Sequence, residues 1–158
     1  MDVKDREILK YLFTNGRDKV SDISRELNIP RITVHERIER MKKDDVIKGF
    51  SAIPNYHILG YDVTAFILAS FDPKGGISQR QLATAIAKIQ GVAEVHIIAG
   101  EWDMLIKARV KSTRDLGKIV LEKLREMDGI ARTATLNVFE SIENQELILG
   151  TVKNHLEP

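Results

Sequence analysis

The segment from Arg31 to Glu36 carries side chains that could read the base edges of a DNA duplex. An arginine can bind guanine, a histidine can donate to a base acceptor, and a glutamate can accept from cytosine. The methyl groups of isoleucine and threonine can contact thymine methyls. The candidate base-reading residues are Arg31, Ile32, Thr33, His35 and Glu36.

Cations surround and follow this segment. Lysine and arginine bind phosphates, which position a protein on DNA without specifying a sequence. The candidate phosphate-binding residues are Arg37, Arg40, Lys42, Lys43 and Lys48. Because the formal net charge of the chain is only +1, this local cluster, and not the overall charge, points to a nucleic acid.

Two short amphipathic helices joined by a tight turn must position these residues. Ile23 and Leu27 are spaced to share one face of the first helix. Asn28 lies where the chain reverses, and asparagine tolerates left-handed backbone angles well. The second helix has an i, i+4, i+7 apolar stripe of Val34, Ile38 and Met41. This pattern predicts a helix-turn-helix whose second helix presents the candidate readers outward.

Elements on both sides complete this unit. Asp2 and Asp5 are spaced as N-cap and N3 of a preceding helix that Asn15 and Gly16 end. Its apolar side is predicted to be Ile8, Leu9, Leu12 and Phe13. The pattern of residues 46–53 predicts a short extended segment, which we interpret as a wing beside the helix-turn-helix.

The pattern changes after Gly60 and predicts a second domain of mixed strands and helices. The predicted strands are residues 61–71, 92–99, 102–110 and 133–139, and the predicted helices are residues 78–89 and 112–127. The order strand, helix, strand, strand, helix, strand is that of a ferredoxin-like βαββαβ sandwich. Both helices then cover one face of the sheet. We predict that the other face includes Phe66 and Ile97 and pairs with a second copy of the chain.

A turn between the two middle strands is a candidate site for a zwitterionic ligand. Gly100 permits a tight reversal, and Asp103 follows it by three residues. Exposed backbone amides can bind a ligand carboxylate, and an aspartate can pair with its ammonium group. Thr133 and Thr135 on the last strand are candidates for additional hydroxyl contacts. The alternative is a plain hairpin whose aspartate only ties its own turn.

The whole pattern resembles the leucine-responsive regulatory protein family of transcription regulators (Lrp/AsnC type). The most specific pieces are residues 33–41 and the turn from Gly100 to Asp103. The resemblance implies an α+β fold with a winged helix-turn-helix at residues 1–52, a hinge at 53–61, a ferredoxin-like effector and oligomerisation domain at 62–150, and a tail at 151–158. It also implies that a homodimer assembles to a tetramer or octamer, binds double-stranded DNA at palindromic sites, and senses an amino acid or a related metabolite.

Three positions depart from what is common in this family. Pro30 stands where a serine often caps the recognition helix and contacts phosphate, so Ser21 and Ser24 are candidates to compensate. Ala99 and Trp102 replace a common threonine and a common tyrosine at the predicted ligand turn, which also contains Glu101. The ligand is therefore expected to differ from that of other family members or to be absent.

Several function classes lack support in the sequence. The chain has no cysteine, and its four histidines do not have the spacing of metal ligands. The sequence also shows no Ser/His/Asp arrangement of a catalytic site. No apolar run is long enough to span a membrane. We therefore predict a cytoplasmic protein that has no cofactor, metal or catalytic residue. Two alternatives remain open: an architectural DNA-binding protein with little sequence preference, and an enzyme similar to siroheme decarboxylases, which resemble the same family.

Overall fold

A computed structural model describes residues 1–142 of the chain, which form two compact units, Met1–Ile53 and Pro54–Ile142. The tail predicted at residues 151–158, the last eight residues of the predicted 62–150 domain and His155 lie outside the described residues. No helix in residues 1–142 is long and apolar enough to cross a membrane.

The first unit contains three helices, α1 (Val3–Thr14), α2 (Val20–Leu27) and α3 (Arg31–Lys43). A reciprocal capping box begins α1, as the spacing of Asp2 and Asp5 predicts: the Asp5 amide donates to the Asp2 carboxylate over 2.9 Å, and the Asp2 amide donates to the Asp5 carboxylate over 2.8 Å. The turn between α2 and α3 begins at Asn28 in the left-handed conformation, with φ at +51°.

The apolar stripes of the three helices meet in one core. Its buried members are Ile8, Leu12, Ile23, Ile29, Val34, Ile38, Met41 and Ile47. The segment predicted as an extended wing, residues 46–53, contains no strand in this structure. Instead the amides of Val46 and Ile47 both donate to the Met41 carbonyl and turn the chain back at the end of α3. Ile47 is thereby brought into the core.

The second unit is a ferredoxin-like sandwich. Its strands are β1 (Val63–Phe71), β2 (Val92–Ile97), β3 (Met104–Val110) and β4 (Ile130–Asn137), and its helices are α4 (Gln79–Ile86) and α5 (Thr113–Lys118), which continues as a π-helix over Ile119–Leu124. The sheet has the order β2-β3-β1-β4, and all neighbouring strands are antiparallel. The fold agrees with the predicted βαββαβ order.

The helices cover one face of this sheet, and alternate residues of β1 and β3 form its core. Ala65, Ile67 and Ala69 of β1 are fully buried and lie opposite buried residues of β3. Leu82 and Ile86 of α4 are also fully buried in this core. The opposite, open face carries Phe66 and Leu68 of β1, together with the residues opposite them, Lys107, Leu105, Leu136 and Ala134.

Phe66 lies on the open face as predicted, but the placement of Ile97 there is wrong. The register between β2 and β3 shifts between Val92 and Glu94, so that Ala93 is an extra residue in β2. Such a β-bulge reverses the alternation of the residues that follow it. Ile97 consequently lies opposite the buried Met104, on the helix-covered side. His96 occupies the open face instead, opposite Leu105.

Candidate nucleic-acid interface and ligand-binding turn

The N-terminal half of α3 presents most of the candidate base-reading residues to solvent. Val34, Ile38 and Met41 point into the core, and the opposite side of the helix is left accessible. Arg31, His35 and Glu36 are exposed, and Thr33 is half-buried. Ile32 is 73% exposed although it is a large apolar residue with no core role. Ile32 is therefore accessible to another molecule, as an apolar contact with a thymine methyl group requires.

Arg37, predicted to bind phosphate, is held inside the first unit. Its Nη1 atom donates to Asp2 over 2.6 Å and to Asp5 over 2.7 Å, and the side chain is only 19% exposed. Its Nε atom is buried and has no partner among the described residues. We therefore correct the prediction: Arg37 joins α3 to the start of α1.

Arg40 also binds the carboxylate of Asp5, but about half of its side chain remains exposed. Its Nη2 atom donates to both oxygens of Asp5 over 2.7 Å, and its side chain is 52% exposed. Asp5 itself is 1% exposed, and two arginines of the candidate recognition helix, Arg37 and Arg40, balance its buried charge. We name Asp2, Asp5, Arg37 and Arg40 the α1–α3 charge cluster. It fixes the rotation of α3, because both arginines lie on the same side of that helix.

The α1–α3 charge cluster favours the ionised form of both aspartates. The hydrogen bond from Arg37, followed by the Asp5 amide, lowers the pKa of Asp2 to about 2. Burial raises the pKa of Asp5, but the Asp2 amide and the two arginines outweigh that effect and leave it below its ordinary value. The cluster is therefore fully charged at neutral pH.

The stabilising effect of Asp2 is expected to disappear in acid. A carboxylate whose folded pKa is depressed stabilises the fold above its unfolded pKa, and this contribution is lost as the pH falls through the folded pKa. For Asp2 this interval runs from the ordinary 3.8 down to about 2. The difference in stability between the wild type and Asp2→Asn should be constant above about pH 5 and shrink toward pH 2. Urea unfolding at a series of pH values measures it, and a difference that does not vary with pH would contradict this assignment.

The remaining candidate phosphate-binding residues differ in their surroundings. Lys42 pairs with Glu39 over 3.0 Å on the surface. Lys43 and Lys48 are exposed and have no ion pair within residues 1–142, and the same holds for Arg31. Ser24 donates to the Ile29 carbonyl over 2.7 Å and stabilises the turn, whereas Ser21 is exposed. The cations available to a phosphate therefore lie at the two ends of α3 and just beyond it.

The N-terminus of α3 has no side-chain cap. Pro30 stands at the N-cap position, and no side chain within residues 1–142 caps the first turn. Proline fixes a backbone angle that suits a helix start, so the helix begins without a serine. The amides of the first turn remain available to an external acceptor such as a phosphate oxygen.

The predicted ligand turn joins β2 to β3 and is anchored by Asp103. The Phe71 amide donates to Asp103 Oδ2 over 2.8 Å, and the Asp103 amide donates to the Ala69 carbonyl over 3.1 Å. Gln79 on α4 donates to the Asp103 carbonyl over 3.0 Å. Gly100, with φ at +140°, makes the reversal. One carboxylate oxygen of Asp103 is thus bound to β1 and does not tie its own turn, as the plain-hairpin alternative had it, and Oδ1 makes no such bond within residues 1–142.

Arg132 on β4 is a residue of this region that the sequence reasoning missed. Its guanidinium stacks on Trp102, with Cζ 4.2 Å from the ring centre, and its Nη2 atom donates to Glu101 over 3.2 Å. Its Nε atom donates to Ser70 over 3.2 Å. The signal in the sequence was available, because Arg132 is the only cation in β4.

Thr133 and Thr135 lie on the face of the sheet opposite to that of Arg132. They are opposite Ala69 and Ile67, on the helix-covered face, whereas Arg132 is opposite Ser70 on the open face. Thr133 accepts a hydrogen bond from Arg125 over 3.4 Å. The prediction that these two threonines join the ligand turn is corrected: among the described residues of β4, Arg132 makes that contact.

A helix-turn-helix unit followed by a ferredoxin-like unit defines a class of two-domain, DNA-binding regulators. The family model described as a winged helix-turn-helix DNA-binding domain matches residues 1–48, and the one described as the Lrp/AsnC ligand binding domain matches residues 64–148. The chain belongs to the Lrp/AsnC family of transcription regulators.

Individual relatives agree with this assignment. An uncharacterised HTH-type transcriptional regulator of Pyrococcus abyssi is 46% identical over 145 residues, which cover 92% of this chain and 97% of the relative. The structure of Escherichia coli AsnC is similar with a TM-score of 0.81 and 27% identity, over 91% of this chain and 96% of that one. A Neisseria meningitidis regulator solved with L-methionine shares the fold, with a TM-score of 0.83 and 20% identity, over 91% and 93% of the two chains. These relatives are regulators, which confirms the prediction of a regulator over an enzyme.

Proposed function

We propose that this chain binds specific DNA sequences through the N-terminal half of α3. The observation that carries this proposal is the orientation of α3, the second helix of the helix-turn-helix. Its buried residues, Val34, Ile38 and Met41, hold it in the core, while Arg31, Ile32, His35 and Glu36 remain exposed. A recognition helix of a helix-turn-helix contacts base edges with its N-terminal residues. Arg31, Thr33, His35 and Glu36 supply the hydrogen-bonding groups, and Ile32 supplies an apolar contact to thymine methyls.

Phosphate contacts come from groups that the fold leaves available. Arg31, Lys43 and Lys48 have no ion pair in residues 1–142, and the first-turn amides of α3 have no side-chain cap. Arg40 has half of its side chain exposed while it is bound to Asp5. Ser21 and Lys42, which pairs with Glu39, are further surface candidates, and we place Ser24 in the turn instead.

The protein acts as a homodimer or a larger assembly at palindromic sites. The open face of the sheet carries Phe66, Leu68, Leu105 and Leu136 in adjacent positions. An apolar sheet face of this kind is normally covered by a partner. A two-fold dimer presents two recognition helices to half-sites about one helical turn of DNA apart. We assign DNA binding to residues 1–52, a hinge to 53–61 and oligomerisation to 62–150.

An amino acid or a related metabolite modulates this binding at the turn from Ala99 to Asp103. Matching of the ligand-binding family model supports a small-molecule site in the second unit. The turn offers backbone amides to a carboxylate and the Asp103 Oδ1 atom to an ammonium group. Arg132, held over Trp102, supplies a cation beside the same turn.

Selection of bound fragments from random DNA, at fixed salt and with or without the twenty amino acids, tests this function. We expect a palindromic consensus whose occupancy changes with at least one amino acid. A consensus that ignores all amino acids would remove the sensing role and leave the turn as structure. Fragments with no consensus would instead indicate an architectural protein with little sequence preference.

Replacing Asp103 by asparagine separates sensing from folding. The amide oxygen of asparagine can still accept from the Phe71 amide, but the charge that would pair with an ammonium group is lost. We expect stability to change by less than about 1 kcal/mol, DNA affinity to be kept and the amino-acid response to be lost. Asp103→Ala serves as the comparison, because it also removes the acceptor and should lower stability by about 1–3 kcal/mol. An Asp103→Asn variant with a normal response would exclude this ligand contact.

A further inference from the structure

A cavity of about 410 Å³ lies in the second unit, between the end of β3, the turn before β2 and the start of the π-helix. Ile89, Val110 and Ile119 give it an apolar lining, and the last two are each 5% exposed. Sites for small molecules usually have about 300–1,000 Å³ and are mostly apolar. The cavity therefore has room for a compact hydrocarbon group.

The backbone around this cavity has two features that sequence periodicity does not require. Gly91 has φ at +94°, and a Cβ atom there would lie 2.8 Å from Ile119 and 2.9 Å from Val110. Only glycine therefore brings this turn so close to the apolar lining. The opposite wall is the π-helix, in which the Arg125 amide donates to the Val120 carbonyl over 3.1 Å. Single π-turns inside helices occur frequently at functional sites.

The side chains at the rim make the cavity strongly cationic. Four cations line it, namely Arg109, Lys111, Lys118 and Lys123. Lys111 and Lys123 have no ion pair within residues 1–142. Among the described residues that line it, the one carboxylate, Asp115, is already bound: the Ser112 hydroxyl donates to it over 2.7 Å, and Lys118 donates over 3.4 Å. Cations grouped around a low-dielectric concavity attract an anion.

We infer that this cavity binds a small organic acid that has a branched or aromatic hydrocarbon body and no ammonium group, such as a 2-oxo acid. The carboxylate pairs with Lys111 and Lys123, and the hydrocarbon body contacts Ile89, Val110 and Ile119. An amino acid is disfavoured, because its ammonium group would face the cations while Asp115 is occupied. The turn at Asp103 offers a carboxylate to an ammonium group and is therefore expected to favour an amino acid over an oxo acid. This second site goes beyond the proposed function and does not depend on DNA binding.

Calorimetric titration of the full chain in about 50 mM salt tests this inference. The probes are 4-methyl-2-oxopentanoate and L-leucine. They have the same carboxylate and hydrocarbon body, but leucine carries an ammonium group where the oxo acid has a carbonyl. We expect saturable binding of the oxo acid that is at least tenfold tighter than any binding of leucine. No saturable binding of the oxo acid, or equal binding of the two probes, would overturn it.

Variants then locate the site. Lys111→Gln combined with Lys123→Gln should weaken binding of the oxo acid at least tenfold. The control, Lys10→Gln combined with Lys74→Gln, removes the same charge from exposed positions that do not line the cavity and should bind like the wild type. Equal losses in both double variants would mean nonspecific charge attraction and would overturn the site. Loss of oxo-acid binding in Arg132→Gln, with binding kept in the Lys111 and Lys123 double variant, would place the acid at the turn and would also overturn it. The DNA selection is a separate experiment. The proposal of an oxo-acid site and the proposal of DNA binding can therefore each fail without the other.

Discussion

Replacing Asp5 by alanine is expected to destabilise the first unit by about 3 kcal/mol. The side chain is 1% exposed and accepts hydrogen bonds from Arg37, Arg40 and the Asp2 amide. Its removal leaves two arginines without their shared carboxylate and breaks the capping box of α1. The cost of losing one partner of a buried pair is dominated by the charge that remains.

Urea unfolding measures this change with a built-in reference. Far-UV circular dichroism follows the helices of both units, most of whose residues lie in the first unit, while the single tryptophan, Trp102, reports on the second unit alone. We expect an earlier transition in the first signal only. Glu39→Ala is the matched control, because Glu39 forms an exposed pair with Lys42 and should change stability by less than about 0.5 kcal/mol. Equal effects of the two variants would show that the buried carboxylate has no special role.

Replacing Ile32 by glutamate is expected to abolish specific DNA binding while the fold is kept. The side chain is 73% exposed, so the new carboxylate need not be buried. It replaces an apolar contact to bases, worth about 1–3 kcal/mol per half-site, and adds a negative charge facing the phosphates. For a dimer on two half-sites we expect a loss of affinity of at least ~100-fold.

Fluorescence anisotropy on the selected operator, at fixed salt, measures this loss. Val3→Glu is the control, because Val3 is 54% exposed in the same unit and a glutamate there lies in the first turn of α1, where negative charge is favoured. That variant should bind almost like the wild type. If Ile32→Glu also binds like the wild type, the N-terminal half of α3 does not read DNA.

Local periodicity predicted most of the fold. The stripes of α1, α2 and α3, the Asp2 to Asp5 capping box and the left-handed Asn28 agree with the structure because each depends on residues within two turns. The exception is Phe13, which was predicted on the apolar side of α1 but is 49% exposed. The βαββαβ order also agrees. Ile97 was misplaced because a bulge at Ala93 reverses the alternation along β2. Nothing in the local pattern marks that extra residue.

The site was less predictable, because its decisive contacts join distant parts of the chain. Arg37 reads as a surface cation on α3, yet its partners Asp2 and Asp5 lie 35 and 32 residues away. One signal pointed to this: Asp5 precedes Ile8 and Leu12 at helical spacing and so falls on the buried stripe of α1. A buried aspartate needs a cation, and the arginines of α3 were available. For Arg132 and Trp102, only the register of β4 decides the contact.

In α3, the residues that attach the helix to the rest of the first unit are different from those that we propose to contact DNA. Arg37 and Arg40 hold α3 through its C-terminal half, while Ile32 and His35 in its N-terminal half make no contribution to the core. Substitutions at the reading positions therefore carry little cost in stability. Operator preference can drift during evolution, or be redesigned in the laboratory, without compensating changes elsewhere in the fold.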